Sequence, residues 1–144
     1  MTITAIARKF ASLLPVLVLA LMAINTATAQ ANPDDKIWTA NNTQGGVVLK
    51  AKYKESPENG LLDQTLEVEI QQAPQNATLQ ITINGRLVGT LVTDGFGHGV
   101  FRRDILGVRP GQDGRPTGPR INTDDVIRVG RGAQGISAPF VQIQ

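Results

Sequence analysis

Thr65-Leu66-Glu67-Val68-Glu69-Ile70 and, thirteen residues on, Thr78-Leu79-Gln80-Ile81-Thr82-Ile83-Asn84-Gly85 decide the fold. Apolar and polar residues alternate in both, the pattern of an extended chain with one face in a core and the other in water. Leu66, Val68 and Ile70 form one inner face; Leu79, Ile81 and Ile83 form the other. Ala73-Pro74-Gln75-Asn76 supplies the turn between them. The likeness of the two strands implies no solenoid, because half-buried strands of one sandwich share a pattern for physical reasons. Asn84 and Gly85 both tolerate positive φ, so a two-residue type I′ turn is predicted, with a return strand from Arg86 to Thr93. Pairing Ile83 with Arg86 sends Val88, Thr90 and Val92 inward and Leu87 and Leu91 outward. Either another layer covers those leucines or the strand contains a bulge.

Upstream, Leu49, Ala51 and Tyr53 alternate with Lys50, Lys52 and Lys54. This predicts a half-buried strand whose lysine face protects a sheet edge. Ser56-Pro57-Glu58-Asn59-Gly60 is expected to break it. Downstream, Asp94-Gly95-Phe96-Gly97 reads as a turn and residues 99–105 as a strand. Residues 106–120 read as a long irregular loop with three prolines and four glycines. Val126, Ile127 and Val129 give another strand, and Phe140, Val141 and Ile143 close the sheet. No apolar period of 3.6 persists beyond the N-terminal segment, so the expected fold is all-β: a small antiparallel β-sandwich over residues 47–144. Residues 30–46, polar apart from Ile37 and Trp38, read as a mobile leader that joins the fold near Trp38.

The first 29 residues read as a signal peptide. Arg8 and Lys9 precede an apolar run from Leu13 to Ile24, and Ala27-Thr28-Ala29 offers small residues to a signal peptidase. The run is shorter than the roughly 20 residues of a spanning helix, so cleavage after Ala29 and a secreted or periplasmic product are expected, with no membrane span after cleavage. Loss of Arg8 and Lys9 leaves 12 basic against 12 acidic residues, which removes the charge argument for nucleic acid. The remaining charge is uneven: residues 98–144 carry seven arginines and four acidic residues. With no cysteine there is neither a disulfide nor thiol chemistry.

Catalysis by histidine could rest only on His98, and no strained elbow presents Ser56 or Ser137 as a nucleophile. Residues 95–99, with three glycines, lack the lysine and hydroxyl of a phosphate loop. Asp94, Asp104, Asp113, Asp124 and Asp125 fall in or near loops, where calcium takes its oxygens, but none shows the spacing of a dedicated site. No catalytic residue, cofactor or metal is therefore expected. The long loop carries Arg109, Arg115 and Arg120 close to stiffening prolines. Those guanidinium groups are the candidate partner-binding residues, able to grip carboxylates.

Leu66–Ile70, Leu79–Gly85, Val88-Gly89-Thr90-Leu91, Thr93-Asp94 with Gly97 and Gly99, and the later Asp125–Gly130 resemble strands of secreted bacterial immunoglobulin-like modules. The resemblance covers about half of the mature chain, without the disulfide and strand tryptophan of antibody-type domains. It implies an immunoglobulin-like sandwich with a non-catalytic role, a binding or structural module of the cell envelope or extracellular matrix. An envelope or matrix protein or an acidic polysaccharide is the expected partner. The alternative is a periplasmic carrier or inhibitor that holds an acidic ligand through the arginine-rich loop.

Overall fold

Alternating burial builds two antiparallel sheets. The computed structural model of the chain describes residues 32–132 and 134–144. The expected signal peptide and its cleavage site lie outside the described residues. Strands β1 (Lys36–Gln44), β2 (Val47–Glu58) and β3 (Leu61–Gln71) form a meander. The chain then crosses to a second sheet for the hairpin of β4 (Thr78–Ile83) and β5 (Arg86–Val92). It returns as β6 (Gly99–Val108) beside β3, crosses again for the hairpin of β7 (Val126–Arg131) and β8 (Gln134–Pro139), and ends as β9 (Val141–Gln142) beside β1. The strand orders are β6-β3-β2-β1-β9 and β5-β4-β7-β8. The all-β sandwich read from the alternation is therefore the fold. No helix among the described residues is long and apolar enough to cross a membrane.

The core lies between the sheets. Leu49, Ala51 and Tyr53 of β2 and Leu66, Val68 and Ile70 of β3 face Leu79, Ile81, Ile127 and Val129 of the second sheet. Each large aliphatic side chain among these contributes about 1.5–3 kcal/mol by leaving water. Ile81 is completely buried, as its place in the alternation requires.

Three sequence expectations need correction, and one strand went unread. Residues 36–44 of the supposed leader are a full strand, in which Trp38 and Ala40 pack into the core and Ile37 is also buried, among polar neighbours. Strand β2 is interior rather than an edge, with β1 on one side and β3 on the other. Its Lys50 and Lys52 stand opposite Glu69 and Glu67 of β3, so they complete a cross-strand charge pattern. Ser56 and Pro57 do not break that strand, which runs to Glu58 and turns at Asn59-Gly60. Pairing with β1 ends at Glu55, so the missing N–H of Pro57 costs no rung on that side. Finally, β8 pairs with β7 although Gly135 and Pro139 hide its pattern; only Ile136 and Ala138 point inward.

The Asn84-Gly85 turn has positive φ at both residues, 49° and 78°, and Ile83 does pair with Arg86. The open question about β5 resolves as a bulge. Ile81 pairs with Gly89 and Thr82 with Leu87, so Val88 is the extra residue. The bulge turns Leu91 into the core and leaves Leu87 and Val92 exposed.

Candidate functional site

At one end of the sandwich the long loop folds back over β2 and β3. It is less irregular than its composition suggests. Pro110 and Pro116 form an isolated bridge, and the Gly111 and Thr117 N–H groups donate to the carbonyls of Arg115 and Arg109 at 2.6 and 3.1 Å. This small hairpin aims Arg115 inward. Its guanidinium donates to both oxygens of Glu55 (Nε to Oε2 3.0 Å, Nη2 to Oε1 2.7 Å), to Asn122 Oδ1 and to the Ile121 carbonyl. It also lies 4.5 Å over the Trp38 ring. Glu55 is 1% exposed, so this forked pair supplies the counter-charge that a buried carboxylate requires.

The cluster continues inward. The Tyr53 hydroxyl donates to Glu55 Oε1 at 2.9 Å and accepts from Gln64 Nε2 at 2.6 Å. Burial, reinforced by the Glu55 carboxylate, holds that hydroxyl well above the ordinary phenol range. Gln64 Nε2 also donates to the Pro119 carbonyl at 2.8 Å, which ties the loop to β3. Gln64 Oε1 is buried and has no hydrogen-bond partner among the described residues.

Tyr53 and Gln64 are also the inner wall of an adjacent cleft of about 350 Å³. The cleft opens where β5 and β6, the edges of the two sheets, part company. Toward one end these edges are in close contact: the Phe101 ring packs on Gly89, where a Cβ would collide with it. Beyond the bulge at Val88 they diverge. Leu66, Ile83, Val88, Ile105 and Ile121 give the cleft its apolar floor, and Arg86, Arg103 and Arg120 give it a cationic rim. Its far wall is the Asn84 turn. Asn84 donates to Asp125 Oδ1 at 2.7 Å and accepts from the Val126 N–H at 2.8 Å, while Asp125 Oδ2 accepts from the Asn122 N–H at 2.7 Å.

The three loop arginines do not form one patch. Arg115 is consumed inside the fold, so its expected role in binding is corrected: Glu55 and Trp38 hold it, and only 14% of its side chain is exposed. Arg120 reaches the cleft rim but is paired with Asp113 at 2.6 Å. Arg109 is exposed and outside the cleft. Two cations that sequence reading missed, Arg86 and Arg103, are better placed. Arg86 makes no side-chain hydrogen bond to a described residue, and Arg103 makes only a 3.5 Å contact with the bulge carbonyl of Val88. The one available signal was the position of Arg86 directly after Asn84-Gly85, which puts it at a sheet edge.

At the opposite end, His98 Nε2 stands 3.4 Å from Glu69 Oε1. The aspartates weighed for calcium are dispersed, and among the described residues no three metal-ligating acidic or histidine side chains converge. Asp94 caps the 94–98 turn, and the N–H groups of His98 and Phe96 hold its carboxyl below the usual range. No protein-family model and no curated protein matches the chain.

Proposed function

We propose that the chain is an exported, non-catalytic binding module of the cell envelope or extracellular matrix, and that it holds an acidic partner in the cleft between β5 and β6. The observation that carries this reading is the pair of guanidinium groups over an apolar floor, Arg86 without a hydrogen bond to a described residue and Arg103 with only a long one to the Val88 carbonyl. Pockets that combine an apolar lining with a few convergent polar groups are the usual form of a binding site. The floor suits a protein segment better than a polysaccharide, because a peptide brings apolar side chains with its carboxylates.

The immunoglobulin-like reading draws support from strand order. β6 returns beside β3, and β7 returns beside β4 between two hairpins, a Greek-key path between facing sheets. The carrier alternative draws support from the size of the cleft, which is at the small-ligand end of the usual range.

Titration with 3-phenylpropionate, a ring bearing one carboxylate, tests the site. Amide NMR signals of Leu87, Val88 and Ile105 should shift, and the shifts should weaken with salt because the rim charges are exposed. Arg86→Ala with Arg103→Ala should abolish them. Shifts centred on Arg109, or none at all, would contradict the reading.

A further inference from the structure

Phe96 is 87% exposed, the most exposed of the large apolar side chains. It sits at the tip of a turn that is held unusually firmly. The Asp94 carboxylate accepts from the N–H groups of Phe96 and His98 at 2.8 and 2.9 Å. The Asp94 carbonyl accepts from Gly97 at 3.1 Å and from Asn76 at 3.0 Å, and the Asp94 N–H donates to the His98 carbonyl at 2.8 Å. Gly97 has φ +77°, and a Cβ there would collide with the Ala73 carbonyl oxygen. The ring is therefore presented on a backbone that has little conformational freedom left to lose, which lowers the cost of docking it. Val92 and Val100, 67% and 60% exposed, flank the turn.

At this end the Asp94 carboxylate lies within the turn next to the ring, while Glu69 is held by Gln71, His98 and the Lys50 opposite it. The cleft end is cationic, with an apolar floor and a rim where Arg86 has no hydrogen bond to a described residue and Arg103 has only a 3.5 Å one to the Val88 carbonyl. The two features lie at opposite ends of the same two strands. Six residues separate Arg86 from Val92 on β5 and Gly99 from Ile105 on β6, a rise of ~20 Å in extended chain. A copy therefore cannot fill its own cleft.

We propose that the acidic partner is a second copy of this chain, which inserts its Phe96 turn into the cleft so that copies join end to end. The proposal rests on the reading of the cleft as the binding site. In the contact, the Phe96 ring meets the apolar floor while the Asp94 carboxylate meets Arg86 and Arg103. Different surfaces of the two copies touch, so the contact is heterologous: each copy keeps a free turn and a free cleft, and assembly stays open unless rotation closes a ring.

Sedimentation velocity over a concentration series of the exported protein tests this. Wild type should grow past a dimer as concentration rises, and the growth should fade near 1 M salt, where screening is complete within about 3 Å. Phe96→Ser and the double variant Arg86→Glu with Arg103→Glu should each weaken association about tenfold or more, as loss of a central anchor does. Both changes are at exposed positions, and thermal melts will show that the variants are folded. Mixing the two variants is the sharpest arm: the intact cleft of one accepts the intact turn of the other, and the product stops at a one-to-one dimer. A monomeric wild type at every concentration, undiminished association of Phe96→Ser, or no complex on mixing would each overturn the proposal. Should wild type be monomeric while 3-phenylpropionate still shifts the cleft signals, self-assembly falls and the cleft stands. If neither occurs, both fall.

Discussion

Arg115 lies beneath the long loop, locked onto Glu55 and stacked on Trp38, whereas Arg86 and Arg103 stand at the strand edges a short way off with almost nothing to hold. Tyr53 and Gln64 connect the two regions: one side of this pair belongs to the Arg115 cluster and the other lines the cleft. The same guanidinium chemistry thus serves two ends. In the first, the charge is neutralised in place and strengthens the attachment of the loop. In the second, the charge meets almost no partner among the described residues. Neither loop position nor nearby proline separates these cases; the inventory of partners does.

The comparison breaks most visibly at Arg115. Arg115→Ala leaves Glu55 buried without its cation, and unfolding in denaturant should show a loss of about 3–5 kcal/mol. Arg115→Lys should recover only part of it, because an ammonium cannot reproduce the fork. A loss below about 1 kcal/mol would mean that Glu55 finds water instead of a counter-charge.

Tyr53→Phe should have a smaller effect at neutral pH, about 1–3 kcal/mol, since it removes a hydrogen bond to a charged carboxylate. Its pH dependence is more informative. The folded protein holds the Tyr53 proton more tightly than the unfolded chain does, so this contribution is complete below the ordinary phenol pKa of about 10. It is lost as pH rises from there toward the higher folded value. Tyr53→Phe should flatten that alkaline decline; an unchanged decline would place its origin elsewhere.

At the opposite end the expected effect is local. Asp94→Ala should speed hydrogen exchange at the Phe96 and His98 amides with little change in the exchange of the core strands. Acid should mimic it: the Asp94 carboxyl is depressed, so its hold on the turn is complete above the unfolded pKa and lost as pH falls through the lower folded one. The smallest change in stability belongs to the cleft rim. Arg86→Ala with Arg103→Ala should alter stability by no more than about 0.5 kcal/mol, as exposed and unpaired positions do.

Much of the sandwich was legible where period-2 alternation is clean, as at Leu66–Ile70, Leu79–Ile83 and Leu49–Tyr53. Reading failed where local composition and tertiary role disagree. Ile37 and Trp38 sit among asparagines and threonines, yet pairing with β2 makes residues 36–44 a strand. Gly135 and Pro139 resemble turn residues, yet β7 supplies a ladder for them. The register of β5 depended on a bulge, which alternation can suggest without locating. The candidate site was less legible still. Its floor comes from both sheets and from residues after the long loop, so the cleft exists only through crossovers between distant parts of the chain. The arginine count drew attention to the long loop, but no local pattern reveals that Glu55, sixty residues earlier, holds Arg115.

The most direct test of this division of labour is the rise in melting temperature on adding 3-phenylpropionate, measured on wild type, Arg115→Ala and the Arg86→Ala, Arg103→Ala double variant. A ligand that binds only the folded chain stabilises it by RT ln(1 + [L]/Kd), so the rise reports binding separately from intrinsic stability. If Arg115 holds the fold while Arg86 and Arg103 hold the ligand, Arg115→Ala melts well below wild type but keeps a rise, and the double variant melts like wild type but shows none. A double variant with an undiminished rise would contradict that assignment.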